Sequence, residues 1–157
     1  GGHGIPLRAE MLVDEVGGIL FDCLIIPGGA KGVENLHASQ EVERLVRAHW
    51  EGGKLVAAIC AAPAIVLAPL GILSGKHATC YPGLERRFHH DVKHCDARVC
   101  VDGRLITSQG PGTAMEFGLR LAELLTGASN APKSERPKPV LIDWFFLRSS
   151  TRDSAWT

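Results

Sequence analysis

Cys60 is the residue with the clearest chemical potential, because of where the pattern places it. Lys54 to Ile59 reads as a fully buried strand, and Ala61, Ala62 and Pro63 open an apolar segment, Ala64 to Leu70, that reads as a short helix. Proline suits the first turn of a helix, where its missing N–H is not needed. Cys60 is therefore expected on a tight strand-to-helix corner. Unpaired N–H groups and the helix dipole at such a corner favour a thiolate, the nucleophilic form of cysteine. Ala58, Ala61 and Ala62 are small enough to let the corner pack closely. The logic is that of the serine nucleophile elbow, without its glycines. Free cysteines are also common as inert core packing, so position rather than residue type makes the case.

Two further loops fall at expected strand ends: Pro27-Gly28-Gly29 and Gln109-Gly110-Pro111. In a parallel sheet, ligands bind at the carboxyl ends of strands. Convergence there would aim the backbone N–H groups of Gly29 and Ala61 at an oxyanion developing beside the thiolate. The plain alternative is that Gly28-Gly29 is only a tight turn. A second cluster, His89-His90-Asp91, His94 and Cys95, could bind a transition metal, but its spacing fits no strong template, and solvated loop residues are the simpler reading. The five cysteines, Cys23, Cys60, Cys80, Cys95 and Cys100, are odd in number, contain no Cys-x-x-Cys and match no zinc module. Free thiols in a reducing compartment are the simplest account. A disulfide from Cys80 to Cys95 or Cys100 under stress needs a proximity that sequence does not show.

The elements that must position these residues follow from periodicity. Ala9 to Val16 could form about two helical turns. Ile19 to Ile26 reads as a buried strand ending at Pro27-Gly28-Gly29. Ser39 suits the N-cap of a helix over Gln40 to Glu51, with Val42, Leu45, Val46 and His49 on one face and Gly52-Gly53 closing it. His77 to Tyr81 reads as a short strand ended by Pro82-Gly83. Arg98 to Val101 and Leu105 to Ser108 flank Asp102-Gly103, a hairpin signal. Thr113 with Glu116 reads as a capping box for a helix carrying Met115, Phe117, Leu119, Leu121, Leu124 and Leu125, stopped by Gly127. Residues 128–139 read as a Pro/Lys/Ser/Glu-rich linker, Val140 to Leu147 as a final edge strand or sticky tail, and Ser149 to Thr157 as disordered. Alternating strands and helices predict one α/β domain over residues 1–127, with a mainly parallel sheet covered on both faces.

The 157 residues suffice for one sizeable core, and the formal net charge of zero excludes a nucleic-acid or membrane partner recruited by bulk charge. No apolar run is long enough to span a bilayer. The start, Gly1-Gly2-His3-Gly4, does not read as a signal peptide, and the lack of an initial methionine reads as a fragment or processed product. The expected compartment is the cytoplasm, with a plastid or other organelle also open.

Leu24-Ile25-Ile26-Pro27-Gly28-Gly29, Ala57-Ala58-Ile59-Cys60-Ala61-Ala62-Pro63, Ala78-Thr79-Cys80-Tyr81-Pro82 and Thr107-Ser108-Gln109-Gly110-Pro111-Gly112-Thr113 stand in order. Together they resemble the ThiJ/PfpI superfamily, and within it the branch of the Parkinson-disease-associated deglycase with its plant and bacterial relatives. The resemblance covers about Ile5 to Gly127. It implies a flavodoxin-like sandwich, a homodimer and an oxidisable nucleophilic cysteine, Cys60 by position. By the same matching, Gly29 and Ala61 supply the oxyanion-binding amides, Gly28 and Tyr81 line the pocket, and Gly110 and Pro111 belong to the loop that closes it. Three departures stand out. The family's first strand and helix, with the glutamate that hydrogen-bonds the cysteine sulfur, have no counterpart; Glu10 and Glu15 lie elsewhere in the pattern. Loss of a central strand exposes apolar neighbours and backbone groups, so such a domain is expected to be unstable unless something replaces it. Tyr81 stands where many relatives have histidine, and the residues after Gly127 do not follow the pattern. Protease-type members place histidine directly after the nucleophile; Ala61 there argues against a peptidase.

The resemblance therefore implies a cysteine-dependent, cofactor-independent deglycase or glyoxalase. It would act on methylglyoxal, glyoxal or their protein adducts and release 2-hydroxy acids. Two other readings stand beside it: a non-enzymatic oxidative-stress sensor or chaperone working through Cys60 oxidation, and an inactive truncated remnant.

Overall fold

Four short strands carry the side chains that split the interior into two layers. The structure, a computed structural model, describes residues 4–127. Its strands are β1 (Cys23–Ile26), β2 (Leu55–Ile59), β3 (His77–Ala78), β4 (Lys93–His94), β5 (Val99–Asp102) and β6 (Leu105–Ser108); its helices are α1 (Ala30–Ala38), α2 (Gln40–Glu51) and α3 (Ala114–Thr126). The main sheet runs β1-β2-β6-β5, while β3 and β4 form a small separate pair. β1, β2 and β6 are parallel, and β5 returns antiparallel to β6.

Successive strand residues face opposite sides. Leu24, Ile26, Val56, Ala58 and Leu105 join one core, with Val33 and Leu36 of α1 and Val42, Leu45 and Val46 of α2. Ala57, Ile59 and Ile106 join the other, under Phe117 and Leu121 of α3. This is the expected α/β flavodoxin-like sandwich. All three parallel strands end at Ile26, Ile59 and Ser108, so the three chemically interesting loops leave the same edge of the sheet.

Helix α2 has the bounds its periodicity predicts, and Ser39 Oγ accepts the Val42 N–H at 3.3 Å as an N-cap should. Its one buried polar residue, His49, is held by Leu45 O at 2.8 Å from Nδ1 and by the Phe21 N–H at 3.0 Å from Nε2. Other expectations need correction. The apolar run from Ile19 becomes strand only at Cys23; Ile19 and Leu20 are exposed. Ala9 to Val16 yields a single 3-10 turn, Val13–Glu15. The short helix expected after Cys60 is present as a π-helix over Pro63–Leu67, in which the Ala68 N–H reaches back to Pro63 O at 3.0 Å, and it ends before Leu70. His77 to Tyr81 pairs only over His77–Ala78. Helix α1 was not anticipated. The expectations for residues 128–157 lie outside the described residues. Among the described residues no helix is long and apolar enough to cross a membrane.

Candidate active site

The corner at Cys60 is strained and doubly fastened. Cys60 has φ of +66°, the only non-glycine residue at positive φ among the described residues. That conformation costs an L-residue about 1–3 kcal/mol and persists only where its surroundings over-determine it. Two hydrogen bonds do so: the Cys60 N–H donates to Ser108 O at 2.9 Å, and Cys60 O accepts from the Tyr81 N–H at 2.8 Å. The first ties the corner to the end of β6, the second to the segment after β3. The side chain itself remains partly exposed.

The Pro27-Gly28-Gly29 loop lies directly against this corner. A Cβ on Gly28 would sit 2.4 Å from Cys60 Cβ, 2.9 Å from Ile59 O and 3.1 Å from Cys60 Sγ. Only glycine allows this approach. Gly29, at φ +95°, is the N-cap of α1, whose first turn closes with Val33 N–H to Gly29 O at 2.9 Å. Among the described residues neither the Gly29 nor the Ala61 N–H has a hydrogen-bond partner. Both are thus available as donors to an anion beside the sulfur.

The third loop meets the second through Tyr81. A Cβ on Gly110 would lie 3.4 Å from Tyr81 Cδ2, so the ring stands over this glycine while remaining about half exposed. Thr113 was expected to cap α3 with Glu116, but its hydroxyl turns inward. Oγ1 lies 2.6 Å from Ser108 Oγ, accepts the Gly110 N–H at 3.1 Å and is 2.9 Å from Gly110 O. Glu116 instead takes both contacts from Arg98 Nε, at 2.9 and 3.0 Å, while Arg98 Nη2 donates to Gly112 O at 2.5 Å. Ser108, Thr113 and Arg98 therefore shape the Gly110-Pro111 loop. Sequence reading missed this role because Thr-x-x-Glu is equally a helix-start signal. The structure thus brings Cys60, Gly28, Tyr81 and Gly110 into one neighbourhood. Gly29 and Ala61 adjoin it in sequence, and exposed Pro111 opens the 3-10 turn beside it.

Electrostatics separate the cysteines. Burial pushes the Cys80 thiol up to about 12, and the charges of Glu85 and Cys60 add to the effect, so Cys80 lies within electrostatic reach of Cys60. Burial likewise pushes Cys23 and Cys100 up to about 12. These thiols stay protonated at neutral pH. Among the described residues no carboxylate or imidazole hydrogen-bonds the Cys60 sulfur, and Glu15 is spent on the Leu12 N–H at 2.7 Å. The histidine cluster does not assemble: among the described residues no three His, Cys, Asp or Glu side chains come together so as to hold a metal. Asp91 accepts from Ser74 instead, and His94 lies 3.9 Å from Asp96.

The chain is similar in sequence and fold to known proteins. The DJ-1/PfpI family model matches residues 1–124. Protein DJ-1 homolog B of Arabidopsis thaliana is 39% identical over 142 residues, which are 87% of this chain and 32% of the plant protein. The glutathione-independent glyoxalase DJR-1.2 of Caenorhabditis elegans is 32% identical over 134 residues, covering 85% of this chain and 71% of the worm protein. The solved structure of oxidised Toxoplasma gondii DJ-1 superposes with a TM-score of 0.77 at 38% identity, over 81% of this chain and 68% of that one. The chain therefore spans about a third of the Arabidopsis relative's length and about two thirds of the Toxoplasma protein's. With a family model that matches residues 1–124, nearly all the described residues, the chain belongs to the DJ-1/PfpI family.

Proposed function

We propose that the chain performs deglycase/glyoxalase-type chemistry on methylglyoxal, glyoxal and their early protein adducts. The observation that carries this reading is the Cys60 corner: a left-handed cysteine held by Ser108 O and Tyr81 N–H, with two unengaged amides, Gly29 and Ala61, on the adjoining loops. The worm relative's name, a glutathione-independent glyoxalase, supports the same reaction class.

In the proposed reaction the Cys60 thiolate adds to the aldehyde carbon of methylglyoxal, forming a C–S bond and a hemithioacetal oxyanion that the two amides stabilise. The hydrogen on that carbon leaves as a proton, and a proton is delivered to the neighbouring carbonyl carbon through an enediol. The result is a lactoyl thioester on Cys60. Water cleaves the thioester, releasing lactate and restoring the thiol. On an adduct, the amine or guanidine nitrogen leaves when sulfur takes its place. The steps call on no metal or organic cofactor. Gly28 sets the distance between loop and nucleophile, and Tyr81, Gly110 and Pro111 wall the approach. The homodimer implied by the family is part of this proposal, and sedimentation of the purified chain tests it.

The test is lactate formation from methylglyoxal by the wild-type chain and by Cys60→Ala. Product from the wild type, with loss to background in the variant, is expected; equal rates in both would overturn the reading. A second reading, an oxidative-stress sensor, is favoured by the lack of an acid or base bonded to the Cys60 sulfur among the described residues. It expects peroxide to add oxygen selectively at Cys60 without aldehyde turnover.

A further inference from the structure

A second cysteine pair lies outside the Cys60 site. Cys95 leaves β4 and Cys100 lies in β5, joined by the short turn Asp96-Ala97-Arg98. The backbone brings them together through β3. The Cys95 N–H donates to Ala78 O at 3.0 Å, and one residue earlier the His77 N–H donates to Asp102 Oδ2 at 2.8 Å, just beyond Cys100. β3 thus binds the segment before the turn and the strand after it. β3 also reaches the neighbour of Cys100 in the sheet, since the Thr79 N–H donates to Thr107 Oγ1 at 2.9 Å and Thr107 pairs with Cys100. Cys95 is near enough to add to the burial that pushes the Cys100 thiol up. Cys95 is partly exposed, whereas Cys100 is 6% exposed.

The turn between them supports the loop that walls the candidate active site. Asp96 O accepts from Gln109 Nε2 at 3.1 Å, and Arg98 O accepts from Ser108 Oγ at 2.9 Å and from the Gln109 N–H at 3.3 Å. Arg98 also holds Gly112 O and Glu116. Whatever fixes residues 95–100 also fixes the platform beneath Gln109-Gly110-Pro111.

We infer that Cys95 and Cys100 are a redox pair that closes to a disulfide under peroxide and clamps the platform of the Gly110-Pro111 loop. Peroxide oxidises the accessible Cys95 thiol to sulfenic acid and is itself reduced to water. The Cys100 sulfur then attacks the Cys95 sulfur, the S–O bond breaks, and the thiol proton leaves with the hydroxyl as a second water. Each sulfur gives up one electron, and an external thiol reverses the step. The pairing differs from the Cys80 pairings that sequence alone suggested. It does not depend on the reaction proposed for Cys60.

The test uses the wild-type chain and Cys60→Ser, which removes the competing oxidation. Each is treated with a small excess of hydrogen peroxide, unfolded in iodoacetamide and cut with trypsin without reductant. Lys93, Arg98 and Arg104 place the two cysteines in separate peptides, His94–Arg98 and Val99–Arg104. The expected result is that these two peptides are joined, with loss of two hydrogens, and that dithiothreitol separates them. Cys95→Ser and Cys100→Ser should each abolish the linked species. Alkylation of both cysteines, Cys95 carrying added oxygen while Cys100 remains alkylated, or a disulfide from either to another cysteine would overturn the pairing. Hydrogen exchange reads the clamp: the amides of Ser108, Gln109, Gly110 and Gly112 should exchange more slowly in the oxidised form, and unchanged exchange would overturn that part.

Discussion

Gly28→Ala probes the site with a single methyl group. Gly28 is not at positive φ, so the substitution adds no backbone strain of its own; its whole effect is steric. The new Cβ would lie 2.4 Å from Cys60 Cβ, where carbon atoms ordinarily rest roughly 3.5–4.0 Å apart. More than about 1 Å of displacement is needed to relieve the contact. Ile59 O at 2.9 Å blocks one escape, and the two hydrogen bonds that hold Cys60 block the other. Overpacking of this kind costs about 1–3 kcal/mol, and a displacement near 1 Å at a reacting group costs on the order of a hundredfold in rate. Urea unfolding and lactate formation should show both losses. The decisive control is a double-mutant cycle with Cys60→Gly, which removes the nearest atom and relaxes the strained φ. Gly28→Ala should cost less stability in that background. An identical cost in both backgrounds, or wild-type stability and activity in the single variant, would refute the reasoning.

Thiol labelling should sort the cysteines by environment. For Cys23, Cys80 and Cys100, pushed up to about 12, the thiolate fraction at pH 7.5 falls about three-thousandfold below that of a free cysteine with pKa ~8.5. In the folded chain they should therefore resist iodoacetamide while the partly exposed Cys60 reacts, and uniform labelling of all five cysteines would contradict this. The folded state binds more protons at these thiols, so stability should be intact below about pH 8.5 and fall as pH rises toward 12, as alkaline urea titrations would show. His49 has the opposite sign. Burial holds its pKa below the usual value, so stability should be intact above about pH 6.5 and decline as pH falls. His49→Leu should flatten that decline yet cost about 1–3 kcal/mol at neutral pH, because the Phe21 N–H loses its acceptor. Thr107→Val removes the hydroxyl that accepts the buried Thr79 N–H at 2.9 Å, and should cost a similar amount by urea unfolding, with Thr107→Ser close to wild type.

The fold class and the position of Cys60 were legible because both rest on local pattern. An apolar run followed by cysteine, small residues and proline admits few conformations, and α2 announces its own cap, stripe and stop. Helix α1 escaped because its buried residues, Val33 and Leu36, are too few to mark a period, and its start is capped by Gly29 with no side chain. The strand before Pro27 was overextended because Ile19 and Leu20 are apolar yet exposed. Thr113 does stand at the N-cap of α3, but its hydroxyl bonds Ser108 and Gly110 instead of the helix end, because one hydroxyl can satisfy either a helix end or a neighbouring loop, and which it meets is decided by the fold.

By itself, then, the sequence determined the layered α/β plan, the corner at Cys60 and the glycines that make room beside it, since steric permission and hydrophobic period act over a few residues. Only the tertiary structure decided that Ser108 O and Tyr81 N–H hold that corner, that Arg98 braces the Gly110 loop, and that β3 ties the segment of Cys95 to the strand of Cys100. Those are contacts between chain segments that the sheet brings together, and no local pattern encodes which of several polar groups will arrive at the same point.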